Sequence, residues 1–186
     1  MNRLNLWHRN ILKKEHIYKL QSSCAFQDPV LHKIVINLNV KAAIIDSKQI
    51  LPAITALELI SYQKPKLYYS KKSIAAFKLR KNMIIGCKVT LQKQHLFGLL
   101  DLLVIIALPK INDFEGFTNT KLKATNNINI GISDFAVFPQ INENSKHFIK
   151  KLGCNFTFFV NSRNNAIKDL VMTEFQIPKK LIKNEV

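Results

Sequence analysis

The sequence predicts an α+β fold in which helices cover one face of an antiparallel sheet and leave the other face open. Three observations lead there. Segments that alternate apolar and polar residues at period two are interleaved with segments whose apolar residues recur at three and four. The outward positions of the strand-like segments are polar, so only one sheet face has a core to cover. No internal repeat and no Gly/Ser-rich linker divides the chain, so residues 1–178 read as one domain followed by a flexible tail, 179–186.

In chain order, Leu4, Trp7, Ile11 and Tyr18 fall on one stripe and predict a first helix over 3–20. Ser22, Ser23 and Pro29 end it. Over 31–40, Ile34, Ile36, Leu38 and Val40 point inward and Lys33, Val35, Asn37 and Asn39 outward, which predicts a half-buried strand. Asp46 or Ser47 can cap a second helix reaching Ile60, with an irregular first turn because Pro52 sits inside it. Residues 67–70 read as a short strand and 70–84, which lack a period, as a long loop. Over 86–92, Cys87, Val89 and Leu91 face inward, and Lys88, Thr90 and Gln92 outward. A nearly all-apolar helix follows over 94–108 and stops at Pro109. Residues 119–129 read as loop, 130–138 as a strand ending at Pro139, and 142–151 as a polar surface crossing. An aromatic strand over 155–160 precedes a last helix over 164–175, with Ala166, Ile167, Leu170 and Val171 inward.

With 186 residues, nearly half apolar, the chain can bury a real core. Its formal net charge is +16, from 28 basic and 12 acidic side chains. So basic a domain repels itself unless a polyanion neutralises it, which makes nucleic acid the first partner class and an anionic membrane surface the second. Of the basic residues 24 are Lys and 4 Arg, which favours point neutralisation of phosphates over bidentate reading of bases. The cysteines Cys24, Cys87 and Cys154 are odd in number and far apart. They read as buried apolar residues in a reducing compartment, not as a disulfide framework or zinc site. Five scattered His read as surface or capping residues. The apolar run 96–108 is too short for a membrane span, which needs about 20 residues. No Walker-type loop, HExxH, GxSxG or paired carboxylates appear, so nothing supplies a catalytic centre, a metal or a cofactor.

Charge is concentrated between Gln63 and Gln94. Nine basic residues (Lys64, Lys66, Lys71, Lys72, Lys78, Arg80, Lys81, Lys88 and Lys93) share that window with no acid, and Tyr68, Tyr69 and Phe77 are interleaved. Cations for phosphates and aromatics for stacking are what an RNA surface requires. The outward amide of Asn37 and hydroxyl of Thr90 suit sugar hydroxyls, which both donate and accept.

Residues 61–91, SYQKPKLYYSKKSIAAFKLRKNMIIGCKVTL, closely resemble the fifth protein of the large ribosomal subunit, whose pattern is close to SGQKP, KS.AGFKIR and IGCKVTLR. Further stretches match in the same order: KIVIN at 33–37, IALPKINDFEGF at 106–117, Gly131, the run Phe138-Pro139-Gln140-Ile141, residues 153–162 and residues 175–178. The resemblance spans nearly the whole chain. It implies a sheet like that of RNA-recognition and ferredoxin-like folds, in the central protuberance of the large subunit, with the open face binding RNA. Implied partners are 5S rRNA, large-subunit rRNA, the elbow of the P-site tRNA and a small-subunit head protein across an intersubunit bridge, with no membrane.

Carried over residue by residue, Asn37, Gln63, Phe77 and Thr90 match the 5S rRNA-binding positions, with Lys64 and Lys88 as phosphate contacts beside them. Lys71, Lys72, Ser73, Lys78 and Arg80 match the loop that approaches the tRNA. The chain departs from the pattern at several glycines: Tyr62 and Ala76 replace those of SGQKP and AGF, and Asn82 replaces one in the loop. In Asp113-Phe114-Glu115 an acid, Glu115, stands where the pattern carries Arg. The Lys, Ile and Asn bias, and a first helix that leaves little sequence for a presequence, point to synthesis inside an organelle. A mitochondrion is the first choice, with a plastid or a bacterial cytoplasm as alternatives. Two other readings remain: a free RNA-binding regulator or chaperone using the same sheet, and a peripheral membrane protein anchored by the first helix.

Overall fold

The computed structural model describes residues 2–20, 28–111, 114, 116, 127–142, 152–162 and 165–178. The tail 179–186, the crossing 143–151, residues 119–126 of the expected loop, Cys24, Asp113 and Glu115 lie outside them. The strands are β1 (Val30–Asn39), β2 (Lys66–Tyr69), β3 (Ile84–Leu91), β4 (Asn127–Ile132) and β5 (Cys154–Asn161). They form one antiparallel sheet in the order β2-β3-β1-β5-β4. The helices are α1 (Arg3–Trp7), α2 (Lys13–Leu20), α3 (Leu51–Ser61), α4 (Lys93–Leu102), α5 (Pro139–Asn142) and α6 (Asn165–Glu174). The fold is therefore α+β, as the alternating and helical periods require.

Two compact units divide the chain. One comprises 35–91 and 131–157. Its core is built as the alternation dictates: Ile36 and Leu38 from β1, Cys87, Val89 and Leu91 from β3, and Ala53, Ala56, Leu57 and Ile60 from α3, which packs on β3. Pro52 stands in the first turn of α3, where its missing N–H costs nothing, and a 3-10 turn at Ser47–Ile50 supplies the irregular entry. The segment expected to remain a strand up to Pro139 does not. β4 ends at Ile132, because the Asp134 carboxylate accepts from the Ala136 N–H and starts a 3-10 turn at Phe135–Val137. That turn packs Phe135 against Phe138 and Phe138 against Phe156, both pairs with tilted rings. Burial raises the Cys87 thiol to about 11 and pushes Cys154 up as well, so both stay protonated as apolar core residues.

The other unit comprises 1–34, 92–130 and 158–186. Its first helix forms where periodicity places it but turns a different face inward. The buried line is Leu4, His8, Leu12 and His16, whereas Ile11 and Tyr18 are exposed. A repeat of four drifts by about 40° per step in an α-helix. A π turn at His8–Leu12 joins α1 to α2 and, being wider, takes up that drift, so the four residues stay aligned. Two histidines expected at the surface are thus core residues. His16 Nε2 lies 2.5 Å from Glu174 Oε2 of α6, and Lys19 Nζ donates to Glu174 Oε1 at 3.2 Å and to Glu15 at 2.9 Å. His8 packs edge-on against Phe97 and tilted against Phe175. Burial, then the charge of Lys13, holds the His8 pKa below its ordinary value. α6 buries a set of residues that overlaps only in part with the expected one. Val171, Met172, Phe175 and the polar Lys168 and Glu174 are buried, while Ile167 and Leu170 are half-buried. α4 continues through a second π turn at Leu103–Ala107 to Lys110, so the expected apolar helix is present. No helix among the described residues is long and apolar enough to cross a membrane.

Candidate nucleic-acid interface

β3 carries Lys88 and Thr90 on the side away from its core, both exposed, with Cys87, Val89 and Leu91 buried between them. Antiparallel register sets Lys66 of β2 directly opposite Lys88. Like charges on paired positions repel, so this arrangement costs the free protein stability and gains it when an anion bridges the two. Asn37 is half-buried on β1, between the inward Ile36 and Leu38.

Tyr68 serves a purpose the sequence did not signal clearly. It pairs with Gly86, and its ring occupies the space a side chain at that position would need. A Cβ at Gly86 would come within 2.7 Å of Tyr68 Cζ and would also overlap the Leu38 carbonyl oxygen. The Tyr68 hydroxyl donates to that carbonyl at 3.4 Å, and burial, with a smaller push from Cys87, raises its pKa. Tyr68 is therefore a sheet-covering residue, while Tyr69 and Phe77, at 52% and 66% exposure, keep free ring surface. An aromatic placed opposite a strand glycine was the available sequence signal.

Gln63 and Lys64 follow the end of α3. The Ser61 hydroxyl donates to the Leu57 carbonyl at 2.6 Å and accepts from the Gln63 N–H at 3.3 Å, which fixes the Gln63 backbone. Tyr62 caps the helix in the left-handed region, φ 53°, with its N–H donating to Glu58 O. That is the position where the resembling pattern has Gly. Asn82 is also left-handed, φ 67°, but Ala76 sits in an ordinary 3-10 turn, so no glycine is needed there.

The stretch 70–83 is a narrow tongue rather than a formless loop. Ser70 N–H donates to Met83 O, Asn82 N–H to Ser70 O, and Ile74 and Leu79 exchange both backbone bonds. The Ser73 hydroxyl accepts from Lys81 N–H, so Ser73 shapes the tongue. Ala75–Phe77 form the tip, and Lys78 follows in the left-handed region. Lys71, Lys72, Lys78 and Arg80 are all exposed.

Register separates the candidate residues into two groups. Lys66 faces Lys88 at one end of the hairpin and Tyr69 faces Ile84 at the other. Gln63 and Lys64 precede Lys66, so they share an end with Lys88 and Thr90. The tongue starts beyond Ile84, and six residues of β3, about 20 Å of strand, separate that root from Thr90. Phe77 therefore stands with Lys71, Lys72, Ser73, Lys78 and Arg80. All nine basic residues of the 63–94 window are exposed, and none pairs with an acid among the described residues. No cluster of His, Cys, Asp or Glu among the described residues could hold a metal ion.

Fold and surface together define an α+β protein of the ribonucleoprotein class. The pattern described as ribosomal protein L5 matches residues 25–80, and the pattern for the C-terminus of the same ribosomal family matches 84–179. The large ribosomal subunit protein uL5m of Reclinomonas americana is 35% identical over 178 residues, covering 96% of this chain and 98% of that protein. The chain belongs to the ribosomal protein L5 family. It is a structural constituent of the large ribosomal subunit, with rRNA as its partner, and it is not an enzyme.

Proposed function

We propose that this protein holds 5S rRNA on the β2–β3–β1 face while its tongue reaches the P-site tRNA. The observation that carries the reading is the unpaired cationic surface over 64–93, with Lys66 and Lys88 forced together by register. A phosphate between those ammonium groups removes their repulsion. Asn37, Gln63 and Thr90 supply amide and hydroxyl groups for sugar edges, and Lys64 a further cation. Phe77 offers an exposed ring for stacking, at the tongue tip beside Lys78. Residues 1–178 act as one RNA-binding domain. The segment around Phe114 meets a small-subunit head protein across an intersubunit bridge. The mitochondrial designation of the relative, together with the Lys, Ile and Asn bias, supports a mitochondrial ribosome.

Titration of the full chain against 5S rRNA at two salt concentrations tests the reading. Expected are a 1:1 complex, affinity falling steeply with salt, and a loss of about tenfold or more for Thr90→Ala. Phe77→Ala should leave 5S affinity nearly intact if the tongue serves tRNA, and weaken it if 5S rRNA wraps past the hairpin end. Binding that ignores Thr90→Ala would remove 5S rRNA from this face.

A further inference from the structure

The outer side of the first helix carries large apolar side chains among its basic ones, where water would be expected. Its inner line is buried, yet Leu6, Ile11, Ile17 and Tyr18 are 42%, 44%, 53% and 84% exposed. A helix packed along one side ordinarily presents polar residues on the other. Of the charges on this helix all but Glu15 are basic. Arg9, Lys13 and Lys14 are exposed and pair with no acid among the described residues, and the carboxylate of Glu15 is held by Lys19. Three of the four apolar side chains are aliphatic. RNA offers phosphates, sugars and base faces, which suit cations and aromatic rings better than a group of Leu and Ile. A second copy of the chain would bring +16 against +16.

We propose that this face docks another protein of the large subunit, one whose apolar surface is bordered by Asp or Glu. Ile11 and Tyr18 become the dry centre of the contact, and Arg9 and Lys14 its cationic rim. The contact rests on membership of the large subunit and not on 5S rRNA binding.

The test places photoreactive benzoylphenylalanine at Tyr18 of the full chain, assembles it into large subunits and irradiates them. The expected adduct survives ribonuclease, is destroyed by protease, and contains a peptide in which Asp or Glu flanks apolar residues. Ile11→Asp should lower its yield about tenfold, the effect of pressing a charge into an apolar contact, and Lys14→Glu about threefold. Free Ile11→Asp protein should keep its thermal midpoint and its affinity for 5S rRNA; unfolding would instead make this face part of the core and sink the proposal. An rRNA adduct, a peptide lacking acids, or no adduct from assembled subunits would each overturn it. So would sedimentation with phosphatidylserine vesicles that Ile11→Asp abolishes, which would assign the face to a membrane.

Discussion

On the first helix, Arg3 reaches Asp101 and Lys19 bridges Glu15 and Glu174, while His16 is sealed against the same Glu174. On the β2–β3 hairpin and its tongue, seven cations stand without an acid among the described residues, two of them face to face. Both regions are basic, yet the helix uses part of its charge to hold its own unit together and the hairpin uses none. Charge that a fold can neutralise internally contributes to stability. Charge that it leaves in repulsion is useful only to a partner of opposite sign.

The sharpest way to break this comparison is Glu174→Ala. It strips the buried His16 ring and Lys19 of their carboxylate and should lower stability by about 3 kcal/mol, read as a urea midpoint shift at unchanged slope. Arg3→Ala, at an exposed pair, should stay within about 0.5 kcal/mol. If the two variants were equal, the helix charges would be ornament like any solvated pair. Lys66→Ala with Lys88→Ala probes the other side. Affinity for rRNA should fall about tenfold or more, and the slope of log affinity against log salt should shrink by about two, while the thermal midpoint of the free protein holds or rises. A fall in that midpoint would mean the two cations are structural after all.

Tyr62→Gly should stabilise the chain by about 1 kcal/mol, because an exposed side chain is held at φ 53° with nothing in return. The smallest effect concerns pH. His8 has a folded pKa below its ordinary 6.5, so the unfolded chain takes up the proton first as pH falls. Stability is complete above about pH 6.5 and is lost below it until folded His8 itself protonates. His8→Phe should flatten that acid limb in thermal unfolding measured from about pH 8 to about pH 5, and an unchanged limb would move the sensitivity elsewhere.

Alternation at 34–40 and 86–92 determined, without any tertiary information, which residues of β1 and β3 face the core, because a strand reverses direction at every residue. The same pattern put Asn37, Lys88 and Thr90 on the outer side, and the acid-free window marked the hairpin as a surface for an anion. Where sequence spacing failed, a long-range partner had decided. Trp7, Ile11 and Tyr18 repeat as a core stripe should, yet His8 and His16 turn inward because Phe97, Phe175 and Glu174 receive them from distant segments. Tyr68 reads as a stacking residue until its register partner proves to be Gly86. The tongue has no period, since Ser70, Ser73, Asn82 and Met83 close it through backbone and hydroxyl bonds that no periodicity encodes. Local pattern fixes which way a residue can point; only the residues that arrive from elsewhere in the chain decide whether anything is there to meet it.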